Sequence, residues 1–329
     1  MKIAHIPILI KNLIANTRYL LKYNIENEIT KKLNSESLKS AQFATTKELI
    51  ELYFSLVPSE QIHYTEELSY IKEFGITDAF PYTQNKTIPT ITSGFDPDKK
   101  LPFVVHHEKK LYFPQDWNIT LVENTYRNYI ERENLLGGDY TNKAPHQYET
   151  ESFQVEKNDI VVDIGCAEAL FALDTIEKSK HTYLFESDKK WIEPLKATFS
   201  NYPNKVTLVS KYIGKKDSEQ ATTLQNFFKN IDGETFFIKM DIEGAEKEAL
   251  SSSQNFLKSH NNFKIACCTY HRANHADDIS QLLQQLGYNT HFSNGFMLYF
   301  DDDNQVPPYF RRGLIRASRQ NIINHTNTH

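Results

Sequence analysis

At 329 residues the chain has room for about two domains of ~150 residues each. Its composition, 40% hydrophobic and 24% charged, is that of a globular protein, and a net charge of −5 argues against nucleic-acid backbone binding as its main task. Three cysteines without metal-ligand spacing leave one unpaired in any disulfide scheme, which fits a reducing, cytoplasmic setting.

Met1 to Tyr23 is apolar, but His5, Lys11, Asn12 and Arg18 interrupt it. It is too broken to span a bilayer and lacks a small-residue cleavage site. Ile10, Leu13, Ile14, Leu20 and Leu21 share one helical face, suited to packing on the protein or to a subunit contact in a homo-oligomer. Thr45 and Glu48 form a capping-box pattern before Leu49, Leu52, Tyr53 and Leu56, and Pro58 follows as a stop. Thr65 to Phe74 reads as a short helix with Gly75 past its end. Pro81 to Pro102 reads as loop. Phe103–His107 and Leu111–Phe113 flank a polar turn and suggest a hairpin, with His106 and His107 on opposite faces. The expected division is a mainly helical N-terminal region over 1–115, closed by this hairpin, and a second domain over 116–320. Nothing in the first region resembles a reaction centre; acceptor recognition or assembly is the role left for it.

Thr125 to Leu136 predicts a helix ending at Gly137-Gly138. His146 follows Pro145, which favours an ordered turn that can face the sheet; a packing role for that histidine stands equally open. The chain then turns on Ile160–Ile164, an apolar run short enough for a buried strand, followed by Gly165, Cys166 and Ala167, and then a helical pattern from Glu168. Small side chains let backbone N–H groups approach a ligand, and the helix start adds partial positive charge. Thr182–Glu186 reads as a second strand ending in a carboxylate, the position that grips ribose hydroxyls in a βαβ nucleotide site. Further strands are expected at 206–209, 235–240, 264–269, 289–292 and 296–300, the last two as an edge hairpin. Helices are expected at 168–178, 188–199, 245–257 and 275–286. Strands alternating with helices predict an α/β fold: a mostly parallel sheet with helices on both faces. The tail after Arg319 is polar and predicted to fray.

Ligands of such sheets sit at the carboxyl ends of the strands. Gly165-Cys-Ala-Glu-Ala-Leu170 lacks the later glycines of a dinucleotide loop, so NAD and FAD are disfavoured. Asp163 and Glu168 make the loop acidic. That repels phosphates and suits the ammonium and sulfonium of S-adenosylmethionine. In Phe236-Phe-Ile-Lys-Met-Asp-Ile-Glu-Gly-Ala-Glu246, residues Lys239, Asp241 and Glu243 share one face of the strand exit. Gly244 permits a turn, and Glu246 lies in the first turn of a helix. A well-capped helix after a buried strand explains Gly244 and Glu246 but not Lys239. The next strand ends in Tyr270-His271-Arg272, where His271 is a candidate base or ligand. Cys267 and Cys268 read as small buried fillers.

Together these stretches resemble the FkbM-type family of S-adenosylmethionine-dependent methyltransferases. The matching pieces are Ala144–Tyr148, Val161–Leu170, Tyr183–Asp188, Ile238–Glu246, Tyr270–Arg272 and Leu286–Tyr288, within residues 142 to 300. Ala169 departs from a frequent glycine, and Tyr270 from a frequent glutamate. The resemblance implies a class I methyltransferase, Rossmann-like seven-stranded sheet and methyl transfer to oxygen. It puts Asp163, Gly165 and Glu168, with Cys166 and Ala167, at the methionine end, and Glu186 with Ser187 at the ribose. His146 and Asp241 complete the cofactor contacts.

The expected activity is O-methylation of a hydroxyl on a sugar, glycan or small metabolite, with no nucleic-acid partner. Asp241 and His271 are candidates for removing the hydroxyl proton, and Lys239 for stabilising the oxyanion. A cation on Asp241, Glu243 and His271 is conceivable, but their spacing is no recognised ligand pattern and the metal-free route is favoured. The rivals are a nicotinamide-dependent oxidoreductase and a non-catalytic binding domain.

Overall fold

The computed structural model describes residues 35–231, 233–259, 262–302 and 305–319. The apolar stripe at 10–21 and the polar tail after Arg319 lie outside them. The chain divides into two compact units, Met1–Pro81 with Asp303–Phe310, and Tyr82–Asp302 with Arg311–His329.

In the first unit, helix α1 spans Ser35–Leu56. It starts well before the capping-box pattern, so Thr45 is a mid-helix residue whose hydroxyl donates to the Ala41 carbonyl at 2.9 Å. A threonine in that position satisfies itself within the helix, and its sequence pattern alone does not mark a start. Helix α2, Thr65–Phe74, ends as expected at Gly75, where φ is +75° and the N–H donates to the Ile71 carbonyl. Phe54, Tyr64 and Phe310 form an aromatic cluster in this unit, with Tyr64 and Phe310 stacked at 5.0 Å.

The second unit begins with a three-stranded antiparallel sheet: β1 Ser93–Asp96, β2 Leu101–His106 and β3 Lys109–Tyr112. The expected hairpin is β2–β3, and it packs in this unit, the Tyr112 N–H donating to Thr198 at 3.0 Å. Helix α3 runs over Ile119–Arg127, started by the Asn118 side chain, and widens into a π-helical turn at Asn128–Arg132. The helical run thus starts before the expected 125–136 stretch and ends at Arg132, short of Gly137-Gly138.

The main sheet contains β4 Asp159–Ile164, β5 His181–Phe185, β6 Val206–Val209, β7 Thr235–Met240, β8 Phe263–Cys268, β9 Asn289–Phe292 and β10 Leu314–Arg319. Its order is β9-β10-β8-β7-β4-β5-β6. All neighbours are parallel except β10, which runs against both β8 and β9. Helices between these strands include α4 Leu170–Thr175, α5 Ile192–Thr198, α6 Glu246–Ser252 and α7 His275–Gln285. Apolar side chains of the central strands, among them Val162, Ile164, Ile238, Met240, Ile265 and Cys267, are fully buried.

The seventh strand corrects the expected edge hairpin. Met297–Leu298 forms only a two-residue strand outside the main sheet, and β9 pairs instead with β10. Two arginines disguise β10 in the sequence. Arg316 is half-buried and donates to the carbonyls of Gln147 and Tyr148, so its charge is engaged inside the fold.

From the carboxyl end of β4 the chain proceeds outward through β5 and β6, whereas from the adjacent β7 it proceeds the other way to β8. That is the switch point where ligands of open α/β sheets bind.

Candidate functional site

The turn after β4 is shaped by left-handed backbone at Gly165 (φ +69°), Ala167 (φ +46°) and Ala169 (φ +61°). A Cβ on Gly165 would overlap the carbonyl oxygen of Asp241, so only glycine lets the turn lie against the tip of β7. Ala169, 1% exposed, adopts a left-handed conformation that ordinarily favours glycine and starts α4 from it. The N–H groups of Gly165 and Cys166 both donate to the Phe185 carbonyl at the end of β5. Glu186 completes this clasp: one carboxylate oxygen accepts the Ala167 N–H at 2.9 Å, the other the Asp188 N–H at 2.7 Å. Ser187 is exposed beside it.

Asp163 and Lys239 face each other in the register of β4 and β7. The Lys239 ammonium is 3.0 Å from Asp163 and donates to the Gly165 carbonyl at 2.7 Å. Both residues are buried. Burial alone would discharge Lys239, but the carboxylates of Asp163 and Asp241 outweigh it and hold the ammonium charged. Lys239 thus spends its donors on the floor of the turn. The neighbouring acid, Glu168, is 6% exposed, and burial pushes its carboxyl up to about 7.

Asp241, at the tip of β7, gathers side chains from several elements. His146 Nε2 is 3.3 Å away, the Tyr148 hydroxyl 3.3 Å, the Tyr270 hydroxyl 3.2 Å and His271 Nε2 3.3 Å. Burial works against its ionised form. The hydrogen bond and charge of His146, together with Lys239 and His271, outweigh that and hold the carboxyl well below the usual carboxylate range. His146 therefore faces the end of the sheet, fixed on its other nitrogen by Glu133 at 2.8 Å. Its loop is pinned to β10 by Arg316, and by a close approach of Pro145 to Gly313 that leaves no room for a side chain there.

His271 lies behind Asp241, 1% exposed. Its Nδ1 is 2.8 Å from Glu246, which is wholly buried and also accepts the N–H groups of Ile242 and Gly244. Nε2 is 3.5 Å from Glu243, an exposed residue held at φ +55°. Burial would lower the imidazole's affinity for a proton. The Glu246 hydrogen bond and the charges of Asp241, Glu246 and Glu243 win and raise it. Burial would raise the Glu246 carboxyl, but hydrogen bonds from His271 and His275, the His271 charge and the Ile242 N–H depress it to about 2.

A cavity of about 200 Å³ is lined by Asp163, Gly165 to Glu168, Lys239, Asp241, Glu243, His146 and Tyr148, whereas Glu186, Ser187 and His271 lie outside its lining. Tyr129 and Glu133 line it too. They come from the π-helical turn and its exit, and no motif in the sequence singles them out. Cys268 also proves more than filler: its sulfur is 3.3 Å from His146 Nε2, whereas Cys267 packs in the core on the other face. A larger cavity, about 570 Å³, is lined by Pro114, Asp116, Lys189, Lys190 and Glu193, but no such convergence of acids, imidazoles and phenols surrounds it. Asp241, Glu246 and His271 bring ligand atoms within 4.8 Å of one another. A cation there would have to displace the backbone donors and imidazoles that already occupy Glu246.

Residues 118–290, more than half of the chain, match the model of the methyltransferase FkbM domain. The chain belongs to this family. It is a methyltransferase that uses S-adenosylmethionine. Solved structures it is similar to include the precorrin-6y C5,15-methyltransferase of Geobacter metallireducens, at 10% identity and a TM-score of 0.36, over 51% of this chain and 83% of that one. A putative methyltransferase of Streptococcus mutans in complex with SAH is 13% identical, with a TM-score of 0.33, over 50% and 90% of the two chains. No curated protein matches the sequence. Among the methyltransferase's described residues, no helix is long and apolar enough to cross a membrane.

The residues present fit the cofactor. The turn offers small side chains and a floor without a Cβ, and carboxylates outnumber cations along the cavity lining, which favours a ligand with cationic groups. Gly165→Ala should therefore destabilise the methyltransferase by about 3 kcal/mol or more, as a Cβ is forced against backbone at positive φ. Ala169→Gly should stay within about 1 kcal/mol of the parent, since relief of the left-handed strain offsets the added chain entropy. Urea unfolding of both variants checks this, and equal stabilities would contradict the packing described for the turn.

Proposed function

We propose that the methyltransferase transfers a methyl group to a hydroxyl of a sugar, glycan or small metabolite, with residues 116–320 as the catalytic domain. The observation that carries this reading is the Asp241 carboxylate, which lines the cavity while His146, Lys239 and His271 hold it ionised. S-adenosylmethionine, when bound, supplies an electrophilic methyl group. Asp163, Gly165, Cys166, Ala167, Glu168 and His146 would hold its amino-acid end, and Glu186 with Ser187 its ribose.

The chain's own task is to orient the acceptor oxygen and receive its proton. An ionised carboxylate of low basicity suffices for this. An ether oxygen that still carries its proton is a far stronger acid than any carboxylic acid, so the transfer to Asp241 is downhill. His271 stands behind Asp241 as a positioning residue. Glu246 fixes its ring through Nδ1 and keeps it charged, which aims Nε2 at the carboxylate. Lys239 acts in the same supporting way, through the turn it holds, rather than on the acceptor.

The surroundings of Asp241 favour a neutral, polyhydroxylated acceptor. Half-buried Tyr299 stands beside Tyr270, its hydroxyl 3.4 Å from the exposed Glu243 carboxylate, which supplies a further hydrogen-bond acceptor. Carboxylates at this mouth repel phosphodiesters, which supports a reading without nucleic acid.

Asp241→Asn should lower kcat by about 100-fold or more while S-adenosylhomocysteine affinity changes far less. His271→Ala should move the acid limb of the kcat profile upward. Removing its positive charge relieves one of the influences that depress the Asp241 carboxyl, so the group protonates at higher pH. An unmoved acid limb would remove His271 from this role. The oxidoreductase reading is separated by ligand-induced stabilisation: S-adenosylhomocysteine should raise Tm, and NAD should not.

A further inference from the structure

Far along the sequence from the Asp241 cluster, the β2–β3 turn meets the last residues of α4. His106 Nε2 and His107 Nδ1 each lie 3.1 Å from the same oxygen, Oδ1 of Asp174. Neighbouring residues of a strand project to opposite faces, and the sequence gives no reason for these two to meet. The turn brings them together by an unusual backbone. His107 and Glu108 have φ of +45° and +67°, where a two-residue turn of this type normally carries asparagine and glycine. That conformation is costly for residues with a Cβ, and strain of this kind persists where something holds it. Its result is a pair of imidazoles 4.1 Å apart, tilted by 32°, converging on one carboxylate.

The geometry points to a divalent transition-metal site formed by His106, His107 and Asp174. All three ligand atoms lie within 4.8 Å of one another. A tetrahedral ion with bonds of about 2.0–2.1 Å needs ligand atoms roughly 3.3 Å apart, so the two 3.1 Å separations already approximate two edges of the tetrahedron. His106 is buried, and its other nitrogen is 2.8 Å from the Tyr126 hydroxyl, the outer partner that fixes a ligating ring. His107 has a side chain 73% exposed, which leaves the remaining coordination position open to water. Two imidazoles and one carboxylate suit Zn²⁺, Co²⁺ or Ni²⁺ rather than Mg²⁺ or Ca²⁺. Lys109, whose ammonium donates to the Leu173 carbonyl at 3.2 Å, adds a nearby positive charge and keeps the affinity moderate. Bound there, the ion ties the hairpin to the end of the helix that begins at Ala169, and so steadies the cofactor turn from its far side.

The test uses the full chain, stripped of metal by dialysis. Zn²⁺ at a hundredfold excess over its dissociation constant should raise Tm by about 5 °C or more. Co²⁺ should give the strong visible absorption of a tetrahedral ion. His107→Ala, a change at an exposed side chain, and Asp174→Asn should each abolish both signals, whereas His271→Ala should keep them. The proposal is overturned if the parent protein shows neither signal. It is equally overturned if both survive in His107→Ala and Asp174→Asn, because the ion then binds elsewhere.

Discussion

The site depends on one buried contact, the Lys239 ammonium held between the Asp163 carboxylate and the Gly165 carbonyl. Burying an ammonium and a carboxylate in the middle of an apolar sheet is expensive, and the pair recovers that cost only while both partners stay in place. Losing one partner of such a pair typically costs about 3–5 kcal/mol. The contact fixes two strand ends relative to each other. It also fixes the turn between them, because the same ammonium binds the turn's first carbonyl. Glycine at 165 then allows that turn to touch the Asp241 backbone, which places the Asp241 side chain at the cavity edge.

Around this contact, charges of opposite sign alternate. Lys239 sits between Asp163 and Asp241, His146 between Glu133 and Asp241, and His271 between Asp241 and Glu246. Asp241 and Glu246 are held ionised by neighbouring cations, whereas burial outweighs Lys239 at Asp163 and raises its carboxyl. Asp241 is the member open to the cavity. Its environment makes it a fixed acceptor of hydrogen bonds and a poor base, and this suits a reaction whose proton leaves late and readily. Positioning, more than basicity, is what the fold supplies.

Much of this was legible before any coordinates. An apolar run ending in Gly165 and small residues, a carboxylate at the next strand's end, and Lys239, Asp241 and Glu243 on one face all follow from strand periodicity. Strand ends are local features, and the sheet carries them to a common edge. The less legible parts come from irregular backbone or long-range pairing. Glu133 and Tyr129 enter through a π-helical turn, whose period matches neither helix nor strand. The strand Leu314–Arg319 carries Arg316, whose guanidinium finds carbonyl acceptors only once the 145–148 loop lies beside it. His106 and His107 meet because a turn adopts left-handed angles that their side chains do not advertise. Asp163 and Glu168 were read from sequence as free negative charge. In the fold Asp163 answers Lys239, and burial raises the Glu168 carboxyl to about 7, so neither acid is a free charge.

The central claim concerns where the methyl donor and the proton acceptor stand relative to each other. A crystal structure with S-adenosylhomocysteine bound measures this directly. The account predicts the homocysteine end over the turn from Gly165 to Glu168, the ribose hydroxyls at Glu186, and the thioether sulfur facing a space bordered by Asp241 and Glu243. A ligand bound away from this turn, or one that covers Asp241 and leaves no room for an acceptor beside it, would contradict the account.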